Sequence, residues 1–240
     1  MHDPSSKLVD LEVCVDRIDA ALAAEEAGAT RIELNAALVE DGLTPSHGVC
    51  EAVCAAARVP IIAMVRPHND GFVYSATERA SMIRDVRSLL HITDGIAIGA
   101  LTTTGDLDTD LLQSVAAVRE EVAQSRQIAP SRLALVMHRA FDFSADLPRA
   151  LEQLVELGFD RVLTSGGAST AVAGAEMLKQ LIERAAGRIE ILPGCGVRAD
   201  NAAELAIQTG ATQLHGSFRI AQAPFVDIEQ IGRVAKLIAT

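Results

Sequence analysis

Polar side chains occur in or directly after seven short apolar runs of this sequence, where core packing alone would favour apolar residues. The first run carries Glu12 and Cys14, and the second carries Arg31, Glu33 and Asn35. A carboxylate inside an apolar run is costly to bury unless it is paired or belongs to a site. Two interpretations therefore stay open for the two glutamates: a structural network with nearby arginines, or a general base and acid pair.

Later runs end in residues that suit acid–base chemistry. The third run ends in Arg66, and the fifth continues into His138, Arg139 and Asp142. Histidine titrates near neutral pH, and arginine presents a planar fork that matches carboxylate and phosphate groups. In a catalytic interpretation we expect one of the two glutamates to act as the base, the histidine as an acid or proton shuttle, and the arginines as charge stabilisers.

Glycine-rich loops follow the seventh and eighth runs. One loop contains Gly194 and Gly196, and the other contains Gly216 and Ser217. Small residues let backbone N–H groups approach an anion closely. The sequence therefore predicts an anion site at these four residues, and the alternative is that the glycines only turn the chain.

Eight strand-like runs alternate with eight helix-like segments, and these elements must position the polar residues. The strand-like runs cover 8–14, 30–35, 60–66, 95–98, 132–138, 161–165, 188–192 and 213–215, and the helical segments cover 17–27, 45–57, 77–91, 109–125, 146–157, 170–186, 200–209 and 227–239. Strands separated by such helices pair in parallel through right-handed crossovers. Eight units in 240 residues predict an α/β fold of the (β/α)8 TIM-barrel type, whose active sites lie at the carboxyl ends of the strands.

A single domain over residues 1–240 is expected, because no linker-like stretch or charge block divides the chain. A doubly wound open sheet competes, but no GxGxxG motif follows the first run. Gly28, Gly158 and Gly210 stand where helices would end before three of the runs. Thr44 and Pro45 have the pattern of an N-cap and first helical residue.

The composition narrows the classes of function. Lys and Arg number 21 against 32 Asp and Glu, which gives a net charge of −11, and only 3% of residues are aromatic. We therefore expect no nucleic-acid partner, because such proteins use basic patches and aromatic stacking. With no secretory signal and no apolar run long enough to span a bilayer, we expect a cytoplasmic protein without a membrane partner. Four cysteines without CxxC spacing agree with that compartment.

Several stretches at the strand ends resemble the CutC family, long described as copper-homeostasis proteins. The stretches are LEVCVDRIDAA, ATRIELNAALVEDGLTPSHGV, MVRP, MHRAFD, LGFDRVLTSGG and PGCGVR followed by NAAEL. The resemblance implies a TIM barrel, a cytosolic location, a homodimer or tetramer, and Cu(I) bound through cysteines near the first two strands. No reaction is firmly attached to the family.

At the implied copper site the sequence departs from the family. Cys14 stands at the first family cysteine, but Asn35 stands where the second is expected. Since Cu(I) favours at least two sulfur ligands, Cys14 would have to recruit Cys195 or Met64. Two functions remain open: copper binding in cytosolic copper homeostasis, or a lyase- or isomerase-type enzyme acting on a small phosphorylated or carboxylated metabolite. A purely interaction role ranks last, because the sequence offers no exposed motif for it.

Overall fold

The computed structural model describes residues 9–220 and 226–239, and over these residues eight strands alternate with eight helices as predicted. The strands are β1 Asp10–Val15, β2 Arg31–Leu34, β3 Ile61–Val65, β4 Gly95–Ile98, β5 Ala134–Met137, β6 Arg161–Thr164, β7 Glu190–Pro193 and β8 Gln213–Gly216. The helices are α1 Ile18–Glu26, α2 His47–Ala56, α3 Ala76–Leu90, α4 Thr109–Arg126, α5 Leu147–Glu156, α6 Ala175–Ala185, α7 Ala202–Thr209 and α8 Ile228–Ile238.

All the strand pairs in the described sheet are parallel, and the strand order is β7-β6-β5-β4-β3-β2-β1-β8. The first strand therefore pairs with both the second and the last. β7 and β8 lie side by side and bring the sheet close to full closure. The predicted (β/α)8 barrel is confirmed.

Most predicted element ends lie within a few residues of the observed ones. Leu8, the predicted start of the first strand, lies outside the described residues. The predicted helix over 170–186 begins only at Ala175. Gly28, Gly158 and Gly210 take positive φ angles of 108°, 73° and 76° after helices, as expected of helix-ending glycines.

The predicted N-cap at Thr44 is wrong. Ser46 caps α2 instead, and its hydroxyl accepts a hydrogen bond from the amide of Val49. Thr44 is held by the end of the neighbouring strand, because its hydroxyl donates to the Arg66 carbonyl and accepts from the Arg66 amide at 3.1 and 2.9 Å. Thr44 therefore joins the loop after β2 to the carboxyl end of β3.

The barrel interior is divided between an apolar and a polar wall. On β3, β4 and β5 a small cluster of buried apolar side chains faces the lumen, separate from the larger core between strands and helices: Ile62, Met64, Ala97 and Val136. β1, β2 and β8 instead carry buried polar residues, among them Glu12, Arg31, Glu33, Gln213 and His215. The polar wall supplies the residues on which the site is built.

No helix in the described part of the chain has the length and apolar composition needed to cross a bilayer.

Candidate functional site

A cavity of about 610 Å³ opens at the carboxyl ends of the barrel strands. Eight of the predicted site residues line it: Cys14, Glu33, Arg66, His138, Arg139, Gly196, Gly216 and Ser217. Four others are not part of the lining: Glu12, Asn35, Asp142 and Gly194. The predicted convergence of strand ends on one mouth thus brings most, but not all, of the candidates to one place.

Three buried side chains place possible metal-ligand atoms close enough together to hold one ion. Ligand atoms of Cys14, Glu33 and His215 all lie within 4.8 Å of one another. Strand register explains their proximity, because Cys14 is opposite Glu33 across the β1–β2 pair and β8 flanks β1 on its other side. The group offers one thiol, one carboxyl and one imidazole on the cavity wall.

Asn35 supports this group from β2. Its side-chain amide donates to Cys14 Sγ at 3.2 Å and to Glu33 Oε2 at 3.0 Å. Gly42 leaves the space for this residue, since a Cβ there would lie 2.4 Å from Asn35 Oδ1, and its φ of +85° is one that a side chain would strain. Asn35 therefore orients two potential ligands from the position where the family resemblance implies a cysteine.

Glu33 carries an unsatisfied oxygen inside the protein. Its Oε1 is buried and has no hydrogen-bond partner among the described residues. Burial is the largest influence on its ionisation and raises the pKa of Glu33. Burial, with the charge of Glu33, also holds the pKa of the Cys14 thiol well above its ordinary value. A cation binding here would reverse both shifts, because these groups bind metals in their deprotonated forms.

Glu12 occupies a different environment from Glu33. It accepts a hydrogen bond from Arg31 Nε, and its Oε1 lies 2.8 Å from His215 Nδ1. Burial alone would raise the pKa of Glu12, but the charges of Arg31 and His215 hold it far below its ordinary value. Glu12 is thus an ionised carboxylate outside the cavity lining, and this placement matches the structural-network alternative for it.

His215 lies between the two glutamates. Its Nδ1 donates to the ionised Glu12, which leaves Nε2 as the ring atom available to another partner. Burial lowers the pKa of His215, but the carboxyl groups of Glu33 and Glu12 outweigh burial and raise it. A carboxylate on one imidazole nitrogen and a metal on the other is a frequent arrangement in metal sites, since the carboxylate fixes the ring and its tautomer.

His138 is a neutral hydrogen-bond donor in this fold. Its Nδ1 accepts from the Ala140 amide at 3.1 Å, so the ring proton is on Nε2. That nitrogen is buried without a partner in the described part of the chain. Burial, reinforced by the charge of Arg66, lowers the pKa of His138 to about 3. At neutral pH the ring carries no charge. We therefore expect His138 to act as a neutral hydrogen-bond donor, whereas the sequence suggested an acid or proton shuttle.

Arg66 reaches the cavity from the end of β3. Its Nη1 donates to the Asp41 carbonyl at 3.2 Å, and its Nη2 donates to the Asn69 carbonyl at 3.4 Å. The guanidinium carbon stands 5.0 Å from the centre of the Phe72 ring. Arg66 is thus fixed in place, and its buried Nε–H has no acceptor among the described residues.

Asp142 holds the loop after β6 rather than facing the cavity. It lies in a short 3₁₀ helix, Arg139–Phe143, which the sequence did not predict. Its oxygens accept from Arg139 Nε at 2.9 Å and from the amides of Ser165 and Gly167 at 3.0 and 2.9 Å. Asp142 therefore positions Arg139, whose partly exposed guanidinium lines the cavity.

Close packing explains why glycine stands at two of the four predicted anion-binding positions. Gly194 donates its amide to the Thr164 carbonyl at 3.0 Å, and a Cβ there would lie 2.5 Å from Leu163 Cδ1. A Cβ on Gly216 would come within 2.6 Å of the Phe218 ring. Gly216 nevertheless lines the cavity, together with Gly196 and Ser217, so an anion role stays a prediction for these three.

Among the basic residues that line the cavity, the sequence analysis gave no role to His215, Arg198 and Arg219. The role of His215 could have been predicted, because it lies two residues after Gln213 in β8 and therefore on the same face of the strand. The two arginines lie in loops, where no periodic pattern indicates direction. Cys195 and Met64, the two residues that Cys14 could recruit as a second copper ligand, both line the cavity, and the Cys195 thiol donates to the Ser169 carbonyl at 3.2 Å. Their recruitment stays a prediction.

Comparisons with known proteins agree on one family. A sequence model of the CutC family matches residues 9–220. A copper homeostasis protein cutC homolog of Homo sapiens is 41% identical over 210 residues, covering 87% of this chain and 73% of that protein. A CutC family protein of Xylella fastidiosa strain 9a5c is 39% identical over 228 residues, covering 92% of this chain and 81% of the relative.

Solved structures are similar over most of the chain. A solved structure from Streptococcus agalactiae, named as a copper homeostasis protein CutC, has a TM-score of 0.75 at 30% identity, and the match covers 87% of this chain and 98% of that one. Phosphoribosylanthranilate isomerase from Thermotoga maritima has a TM-score of 0.59 at 12% identity, covering 96% of this chain and 98% of its own. The second similarity concerns the barrel fold alone.

Proposed function

The chain belongs to the CutC family, and from this premise we propose that it takes part in copper homeostasis by binding a copper ion at Cys14, Glu33 and His215. The observation that carries the proposal is the grouping of three buried ligand atoms within 4.8 Å of one another on a cavity wall. Copper is here the cargo of the protein. The human and mouse relatives are both named copper homeostasis proteins, which supports the same assignment.

The ligand set indicates how selective such a site would be. Thiolates favour Cu(I) and Zn²⁺, imidazole suits several transition metals, and carboxylates suit harder ions. The group has one thiol, and Met64, which carries a thioether, lines the same cavity. We therefore expect a copper affinity lower than that of a two-thiolate site, with weaker discrimination against Zn²⁺.

Neighbouring residues support the metal role by orienting the ligands. Glu12 holds the imidazole of His215 through Nδ1, and Asn35 donates to both Cys14 and Glu33. Partners of this kind are worth about 10–100-fold in metal affinity. Copper affinity would also fall at lower pH, because burial raises the pKa of both Cys14 and Glu33 and protons compete with the ion.

The test is competition with a chromogenic Cu(I) chelator under anaerobic, reducing conditions. We expect the protein to take one equivalent of Cu(I) from the chelator, and Cys14→Ser and His215→Gln to weaken binding at least about 10-fold. Cys54→Ser is the matched control, because Cys54 lies on α2 away from the cavity. Failure of the wild type to compete, or unchanged binding by Cys14→Ser, would overturn the proposal.

A second candidate function is a lyase- or isomerase-type enzyme, favoured by the unpartnered Oε1 of Glu33 on an arginine-lined cavity. Glu33 would take a proton from carbon next to a carbonyl group, and the Nε2–H of His138 with Arg66 would stabilise the resulting enolate oxygen. Exchange of solvent deuterium into small keto acids or phosphorylated ketones, followed by NMR, tests this. Exchange that persists at the same rate in Glu33→Gln would remove the glutamate from that role.

Composition, the lack of a linker and family membership together support a proposal on the wider setting. We infer a cytoplasmic homo-oligomer whose single domain spans residues 1–240, with no nucleic-acid or membrane partner. Light scattering coupled to size-exclusion chromatography tests the oligomer, and a monomer at micromolar concentration would contradict it. Limited proteolysis tests the single domain, because a stable fragment much shorter than the barrel would indicate a second folding unit.

A further inference from the structure

We infer that the cavity binds a small organic oxyanion, a metabolite carrying a carboxylate or phosphate group, on Arg66, His138 and Arg139. This inference deepens the second candidate function by assigning the residues that bind the charged group of its ligand, and it rests on that function only because both use the same cavity. Binding requires neither catalysis nor a metal ion.

Two unused hydrogen-bond donors carry the inference. Arg66 Nε and His138 Nε2 are both buried and find no acceptor within the described ranges. Their residues are only 6% and 3% exposed, and both line the cavity. Buried donors without acceptors are rare in folded proteins, and each calls for a partner. Both residues line the cavity, so the inference assigns the missing acceptors to an oxygen-rich ligand bound against them.

The two donors also lie beside the same aromatic ring. The Arg66 guanidinium carbon lies 5.0 Å from the centre of the Phe72 ring. The centre of the His138 ring lies 5.3 Å from the same point. Both donors are therefore held in place by packing and by backbone hydrogen bonds at their other nitrogens. Preorganised donors lose little entropy on binding, which favours a specific ligand over mobile counterions.

Charge selects the sign of the ligand. Four arginines line the cavity: Arg66, Arg139, Arg198 and Arg219. The acidic lining residues among those described are Glu33 and Asp41. This cationic lining stands in a chain with a net charge of −11, so the cavity differs in sign from the protein as a whole. Clefts lined by one sign of charge concentrate ligands of the opposite sign.

Arginine chemistry and the cavity size define the ligand further. A guanidinium presents paired donors to carboxylate or phosphate oxygens, which are the two groups the inference names. The cavity of about 610 Å³ falls within the range of about 300–1,000 Å³ found for small-molecule sites. A metabolite of moderate size therefore fits, whereas a bare inorganic ion would leave most of the cavity to water.

Calorimetric titration of the metal-stripped protein tests the inference. The protein is treated with a chelator, dialysed free of it, and titrated at constant ionic strength with inorganic phosphate, succinate or the uncharged succinamide. We expect saturable binding of phosphate or succinate and none of succinamide. If phosphate binds and succinate does not, the ligand is a phosphorylated metabolite. If succinate binds and phosphate does not, the ligand is a carboxylated one. No saturable binding by either anion above sodium chloride would overturn the inference.

Variants then locate the site. We expect Arg66→Gln and Arg139→Gln each to weaken anion binding at least about 10-fold, the scale of a lost charge-assisted contact. Arg87→Gln is the matched control, because Arg87 pairs with Glu121 on exposed helix surfaces. Arg139 is partly exposed, so its variant remains informative if Arg66→Gln does not fold. Unchanged affinity in Arg139→Gln and in a folded Arg66→Gln would contradict the assignment. Copper competition measured without these anions keeps the two outcomes separate.

Discussion

The side-chain amide of Asn35 donates a hydrogen bond to the sulfur of Cys14 across 3.2 Å. The position where the family resemblance implies a second metal-binding sulfur therefore carries a hydrogen-bond donor, in contact with the first sulfur. Such a donor stabilises a thiolate but cannot bind a cation. The contact between these two residues leaves the candidate metal site with one sulfur ligand in place of two, which weakens its preference for a soft ion such as Cu(I).

Asn35→Cys is expected to raise Cu(I) affinity by at least about 10-fold, because it adds a second soft ligand next to Cys14. Competition with a Cu(I) chelator under reducing conditions measures the change. Asn35→Ser is the control, since it removes the amide and adds no thiolate. Equal copper affinities for Asn35→Cys and Asn35→Ser would show that position 35 does not face the ion.

Glu12→Gln is expected to destabilise the fold by about 3–5 kcal/mol, because it leaves the buried guanidinium of Arg31 without its anionic partner. Glu33→Gln should cost far less, since burial raises the pKa of Glu33 and the variant resembles the protonated side chain. Urea unfolding at neutral pH measures both. Similar losses in the two variants would contradict the division between a structural and a cavity-facing glutamate.

The stability contribution of Glu12 has a defined pH dependence. Its pKa is lower in the folded protein, so its stabilisation is present above the unfolded value of 4.5 and is lost as pH falls towards the folded value. We expect the loss of stability on acidification below pH 4.5 to be smaller in Glu12→Gln than in the wild type. Parallel curves for the two proteins in this range would contradict the assignment.

His138 should make the protein less stable as pH falls below 6.5. Its pKa is about 3 when folded against 6.5 when unfolded, so in this window the unfolded chain binds a proton that the folded chain excludes. The free energy of unfolding should then fall by about 1.4 kcal/mol per pH unit from this residue. We expect His138→Gln to lack this component in urea unfolding between pH 6 and 4.5, whereas the exposed His47→Gln should retain it.

Asp142→Ala is expected to cost about 1.5–3 kcal/mol, because the amides of Ser165 and Gly167 lose a charged acceptor. Amide hydrogen exchange should show the loss of protection concentrated at these two positions. The matched control is the exposed Asp70→Ala, for which we expect a change within about 0.5 kcal/mol. Uniform acceleration across the barrel would indicate global unfolding instead of a local anchor.

The barrel could be predicted because its signals are local. Alternating apolar runs and helical segments repeat through the chain, and helix-ending glycines such as Gly28 and Gly158 mark several boundaries. The 3₁₀ helix Arg139–Phe143 was missed because short helices have weak periodicity. The N-cap was misplaced because a tertiary contact with Arg66 holds Thr44 in the preceding loop.

The site could be predicted only in outline, because its decisive contacts are not local. Alternation along β1 and β2 points both Glu12 and Glu33 towards the lumen. Which of them meets an arginine, and which keeps a free oxygen, depends on the register between strands and on β8. His215 joins the group only when the last strand pairs with the first.

The contact between Glu12 and His215 joins residues 203 positions apart in the chain. Such a contact cannot form until nearly all of the barrel has been synthesised and a very long loop has closed, so we expect it late in folding. Interactions absent from the folding transition state mainly govern the unfolding rate. Loss of this contact should therefore shorten the lifetime of the native barrel more than it slows its formation. The polar wall would thus give the barrel kinetic stability, because it raises the barrier to unfolding.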